Sequence, residues 1–203
     1  VKELYYYLDA TPTHSYLKFL YKYPQGEYPY DRLAWENSQR GMWDPEFELL
    51  DSGVFAEDRY FDVLVEYAKA DAEDILLRVS ITNHGDIAAS LHVLPQLWFR
   101  NTWSWGYDPK RPELSANELG SVSVRHDELG DYHWYAEDQP EFIFCDNDTN
   151  ERRLYGADVD GFFKDAFHDL LIDRVVASIN PQQVGTKAAA HYEVEVQAGE
   201  TVV

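Results

Sequence analysis

The residues best suited to chemistry run together in Leu97-Trp98-Phe99-Arg100-Asn101-Thr102-Trp103-Ser104-Trp105-Gly106. Indole faces stack on the apolar C–H faces of sugars, while Arg and Asn side chains bond sugar hydroxyls. Arg100, Asn101, Trp103 and Trp105 are therefore the candidate contacts to a carbohydrate or to a neighbouring domain. Trp98 is read differently: it precedes the loop on a strand whose alternation turns it inward as a core ring. Asp146-Asn147-Asp148-Thr149-Asn150 has the one-three-five oxygen spacing of a calcium loop. Glu151 replaces the turn glycine and Ala157 stands where the closing carboxylate belongs, so the segment reads as a polar turn after a buried strand. Asn147-Asp148-Thr149 also fits a glycosylation sequon.

Among the seven histidines, no two have metal-ligand spacing. His14, His92, His168 and His191 read as structural residues. His168-Asp169 could orient an imidazole, but no nucleophile goes with it. Glycine-rich phosphate loops, Gly-x-Ser-x-Gly, His-Glu-x-x-His and Cys-x-x-Cys are all absent, which removes the motif basis for nucleotide, serine-esterase, zincin and thiol-redox chemistry. No catalytic residue, metal ligand or cofactor is assigned.

The elements that must position the Trp-rich loop are strands. Leu4, Tyr6 and Leu8 alternate with Tyr5 and Tyr7, and Phe61, Val63, Val65 and Tyr67 share one face. Glu73 to Thr82 and Ile87 to Pro95 read as a hairpin around Asn83-His84-Gly85-Asp86. Val122 and Val124, Tyr132 and Trp134, and Phe142 and Phe144 mark three more short runs. Such spacing predicts an all-β antiparallel fold, a sandwich or a barrel, with Tyr30 to Gln39 and Phe162 to Ile172 as its short helices. Pro24 to Asp51 and Asn101 to Gly120 are left as long connections that contact something or carry function.

The chain has 203 residues and suits one domain over 1–203. With 17 Lys and Arg against 37 Asp and Glu, its charge of -20 repels phosphate backbones and anionic lipid, so neither nucleic acid nor membrane is an expected partner. Cys145 is the sole cysteine and excludes an internal disulfide. No signal peptide or apolar span is visible, so the expected location is cytoplasmic. Val1 opens within a strand, and Thr201-Val202-Val203 begins a return strand after Ala198-Gly199-Glu200, so the sequence is read as cut at both ends from a longer polypeptide.

Five segments in order carry a family resemblance: Thr11-Pro12-Thr13-His14-Ser15-Tyr16, Tyr21-Lys22-Tyr23-Pro24-Gln25, Leu49-Leu50-Asp51-Ser52-Gly53-Val54-Phe55, Leu97 to Trp105, and Gly185-Thr186-Lys187-Ala188-Ala189. Together they resemble the N-terminal region of bacterial glucosidase-like proteins of glycoside hydrolase family 63, related to mannosylglycerate hydrolases. The resemblance implies an N-terminal β-sandwich of the large two-sheet (supersandwich) kind preceding an (α/α)6 barrel. The carboxylates of an inverting α-glycosidase lie in that barrel. The expected partners are the catalytic (α/α)6 domain of the same polypeptide and a carbohydrate substrate, with this domain itself inactive and walling part of the cleft. The alternatives are an autonomous carbohydrate-binding module and a mutarotase-like sugar enzyme. The latter requires a His and a carboxylate converging in one cleft, for which His92 and His191 are the available imidazoles.

Overall fold

The alternating runs form strands in the computed structural model, which describes residues 3–106 and 110–203. In chain order the elements are β1 (Leu4–Ala10), β2 (Tyr16–Pro24), α1 (Tyr30–Ser38), β3 (Tyr60–Asp71), β4 (Asp74–Asn83), β5 (Ala89–Val93), β6 (Gln96–Trp98) and β7 (Glu113–Ala116). They continue with β8 (Val122–His126), β9 (Gly130–Trp134), β10 (Glu141–Cys145), α2 (Glu151–Tyr155), α3 (Ala166–Leu171), β11 (Val184–Gly185), β12 (Lys187–Val196) and β13 (Thr201–Val202). The fold is all-β and antiparallel, as the alternation predicts, with the strands of the described residues divided among three sheets. No helix among the described residues is long and apolar enough to cross a membrane. The chain forms two compact units, Val1–Leu91 with Val194–Val203, and His92–Glu193.

The first unit carries a five-stranded sheet in the order β1-β2-β3-β4-β13. Directly paired residues share a face, so Tyr7, Phe19, Val65 and Val79 form one apolar row across four strands. On the opposite face the row Lys18, Glu66, Arg78 is charged. Glu66 accepts the Tyr16 hydroxyl at 2.5 Å and two guanidinium N–H groups of Arg78 at 2.9 and 2.6 Å. These bonds hold its carboxyl below the usual range, the Tyr16 bond contributing most. The Pro24 to Asp51 stretch is not a bare connection. It contains α1 and packs Leu33, Phe47 and Leu49 into a small core with Leu4, Tyr28, Val54 and Phe55. Asn37 staples that core, donating to the Leu33 and Phe47 carbonyls and accepting from the Phe47 amide.

The expected β4–β5 hairpin does not form. β4 pairs with β3 and β13, whereas β5 joins the sheet of β12 and β10. The cause is Asn83, buried at the end of β4. Its amide nitrogen donates to the Ile87 and Val196 carbonyls at 2.8 and 2.9 Å, and its oxygen accepts from Gly85 N and Gln25 Nε2. Its backbone bonds are taken by Glu200 and Gly199, which bring in β13.

In the second unit the sheet β10-β12-β5, with β6 on β12, faces the sheet β11-β7-β8-β9. Phe142, Phe144, Ala188 and Ala190 from the first meet Leu114, Val122 and Val124 from the second, and this is the sandwich core. The alternate residues Ile143, Cys145 and Ala189 are also buried, against Ala166 and Phe167 of α3. Burial on both faces accounts for the consecutive apolar residues Phe142 to Cys145 in β10 and Ala188 to Ala190 in β12. Trp98 does not fill the core: it is 54% exposed, while its neighbours Leu97 and Phe99 pack inward. The strand has the expected period, but its inward parity belongs to the flanking residues.

Candidate functional site

β6 delivers the Trp-rich segment to the end of its sheet, where Trp103–Trp105 makes one 3-10 turn closed by Gly106 at φ 72. That left-handed conformation suits glycine and stops the turn. Beyond it, Tyr107 to Pro109, the middle of the expected Asn101 to Gly120 loop, lie outside the described residues. The later part of that stretch is strand β7 rather than loop.

Asp148 anchors the turn. Its Oδ1 accepts from Asn101 Nδ2 at 2.6 Å, Trp103 Nε1 at 2.8 Å and Ser104 Oγ at 3.1 Å, while Oδ2 pairs with the Arg111 guanidinium. One carboxylate thus grips the chain on both sides of residues 107–109. Asn101 Oδ1 also accepts from Ser104 N at 3.0 Å, and Asn147 Nδ2 holds the Phe99 carbonyl at 2.9 Å. The neighbouring oxygens are equally committed. Asp146 accepts from the Thr186 amide and hydroxyl, and Asn150 caps α2 by accepting from Arg153 N. The Asp146 to Asn150 segment is a polar turn that ties β6, β12 and α2 together. No group of three His, Cys, Asp or Glu side chains among the described residues is placed to hold a metal ion.

The four candidate contacts come together but play different parts. Asn101 and Trp103 are half-buried and engaged with Asp148, and the Arg111 guanidinium lies 5.4 Å from the Trp103 ring centre. Trp105 is 60% exposed, with the Arg100 guanidinium 5.6 Å from its ring centre. The pair presents an indole and a guanidinium outward, a combination able to stack on a sugar face and bond its hydroxyls.

The histidines separate. His168 is exposed on α3, and Asp169 pairs with Arg153. His14 is exposed in the turn before β2 at φ 54. His92 and His191 meet nitrogen to nitrogen at 2.9 Å. Sequence reasoning passed over two further groups. His84 Nε2 lies 2.9 Å from Asp62, which also binds Lys22 at 2.7 Å, and the His84 ring stacks on Tyr60. Trp35, Met42 and Trp43 stand out from the α1 segment, Trp43 being 90% exposed. The first group forms across strands and leaves no local signal. For the second, exposed aromatics in Pro24 to Asp51 were legible as composition only.

The chain is 34% identical over 229 residues to the uncharacterized protein YMR196W of Saccharomyces cerevisiae, in a match covering 95% of this chain and 21% of the yeast protein. It spans about a fifth of the length of the curated relative it matches. No protein-family profile matches it, and no solved structure does.

Proposed function

We propose that this chain is a non-catalytic N-terminal β-sandwich of an inverting α-glycosidase resembling glycoside hydrolase family 63. In this reading it packs on an (α/α)6 catalytic domain of the same polypeptide and lends the Arg100–Trp105 pair to the substrate cleft. The observation that carries the reading is an exposed indole, backed by a guanidinium and held on a turn that Asp148 grips. Exposed aromatic rings on a rigid mount suit contact with a sugar or another domain better than they suit solvent. The match to a relative about five times as long is consistent with a domain that has company. A cytoplasmic setting is part of the proposal. Burial pushes the Cys145 thiol up to about 12, which leaves it a packing residue rather than a redox group.

The autonomous binding module is the second reading, and the same exposed Trp105 favours it. The mutarotase-like reading has less behind it, because His92 and His191 use their facing nitrogens on each other. Calorimetry and kinetics separate the first two. An accessory domain supplies part of a cleft, so the chain alone should show no measurable heat with gluco- or manno-oligosaccharides. In the full-length protein, Arg100→Ala or Trp105→Ala should then lower kcat/KM by roughly tenfold, about 1.4 kcal/mol of lost contact. Micromolar binding by the chain alone that disappears in Trp105→Ala would move the function to the module. Unchanged kinetics in both full-length variants would sink the cleft role.

A further inference from the structure

His92 lies on β5 and His191 on β12, adjacent strands of one sheet, yet 99 residues apart in the chain. His92 Nδ1 and His191 Nε2 face each other at 2.9 Å, with ring centres 5.0 Å apart and planes 38° from each other. Two facing ring nitrogens at this distance can hold one proton between them: one nitrogen donates and the other accepts through its lone pair. A second proton would leave two N–H groups pointing at each other and two like charges in contact. Both imidazoles belong to the second unit, and the contact links two adjacent strands that come from opposite ends of its chain segment.

We propose that His92 and His191 form a one-proton clasp between the adjacent strands β5 and β12, and that acidification breaks it. Half-burial of the rings and the neighbouring His92 hold His191 below the ordinary imidazole range. Glu141, its direct partner across the strand pair on β10, and Glu193, two residues along β12 on the same face, pull the other way without prevailing. Apart from His92 itself, β5 and β6 carry no titratable side chain. α3 packs on this face of the sheet through Phe167, and its Asp169 is committed to Arg153. Lys187, further along β12, sits over the Phe167 ring.

The folded state therefore binds the extra proton less readily than the unfolded chain does. The stability the clasp confers is complete above the unfolded value of ~6.5 and is lost as pH falls through the lower folded value. Thermal unfolding of the full chain between about pH 8 and about pH 5, with imidazole nitrogen NMR on the same samples, tests this. The wild type should lose roughly 2–4 °C in Tm across the window, as one depressed imidazole would give in a chain of this size. His191→Gln keeps a donor and an acceptor opposite His92 but cannot take up charge, so it should remove most of that loss. His168→Gln, away from the pair, should leave the loss in place. A full wild-type pH slope in His191→Gln would overturn the clasp. So would wild-type spectra in which each ring takes its proton independently of the other, a measurement that decides the matter even if the variant fails to fold.

Discussion

Asp148 accepts from four side chains, and three of them precede it by more than forty residues. Nothing in an Asn-Asp-Thr triplet announces this role; the local spacing reads as a polar turn that also fits a sequon, with no distant partner implied. The carboxylate is needed because both of its oxygens accept. Asp148→Ala should strand the Trp103 indole N–H and the Arg111 guanidinium, at a cost of about 1–3 kcal/mol by the usual penalty for unmade bonds to partly buried donors. Urea unfolding would read the loss, and limited proteolysis should show new cutting between residues 99 and 106. Asp148→Asn, which keeps one accepting oxygen, should fall between that variant and the wild type. A Asp148→Ala chain as stable and as resistant to protease as the wild type would show that the grip is dispensable.

At the scale of elements, the decisive residues are those that assign a strand to its sheet. Asn83 satisfies four partners with one side chain, and those partners belong to the end of β2, the turn after β4 and the end of β12. Asn83→Ala removes all four bonds from a fully buried site and should destabilise the protein by about 3 kcal/mol, the upper part of the range for unsatisfied buried polar groups. Chemical denaturation checks it, with Asp86→Ala in the adjoining exposed turn as the near-neutral control. β11 shows a different device. A Cβ on Gly185 would stand 2.2 Å from the Cys145 carbonyl oxygen, so this glycine exists to let two backbones approach. The three alanines that follow Lys187 are fully buried on both faces of β12, where larger side chains would overfill the core. The Gly185 to Ala189 segment that carried part of the family resemblance is thus explained by packing.

At the scale of the whole molecule, 37 acidic residues face 17 basic ones. Many of the bases are already engaged in local pairs such as Lys22–Asp62 and Arg153–Asp165. The residual charge of -20 repels itself, and folding concentrates that repulsion. Salt screens it over a Debye length of ~10 Å at 0.1 M, whereas the short local pairs feel the screening less. Tm measured in sodium chloride from about 10 mM to about 0.5 M should therefore rise. A fall would mean that the local ion pairs outweigh the long-range repulsion.

The sequence by itself determined what depends on near neighbours: the all-β class, most strand positions, helix α1, and the run of Arg100, Asn101, Trp103 and Trp105 just past the end of a strand. Side chains alternate along a strand whatever it pairs with, so strand period is visible in a short window. Pairing is not, because the hydrogen-bonding edge of a strand is the same backbone for every candidate neighbour. Three outcomes were settled only when distant segments met. A buried Asn83 sent β4 to β3 and β13 instead of β5, Asp148 reached back to the Trp turn, and two histidines 99 residues apart came to face each other across adjacent strands.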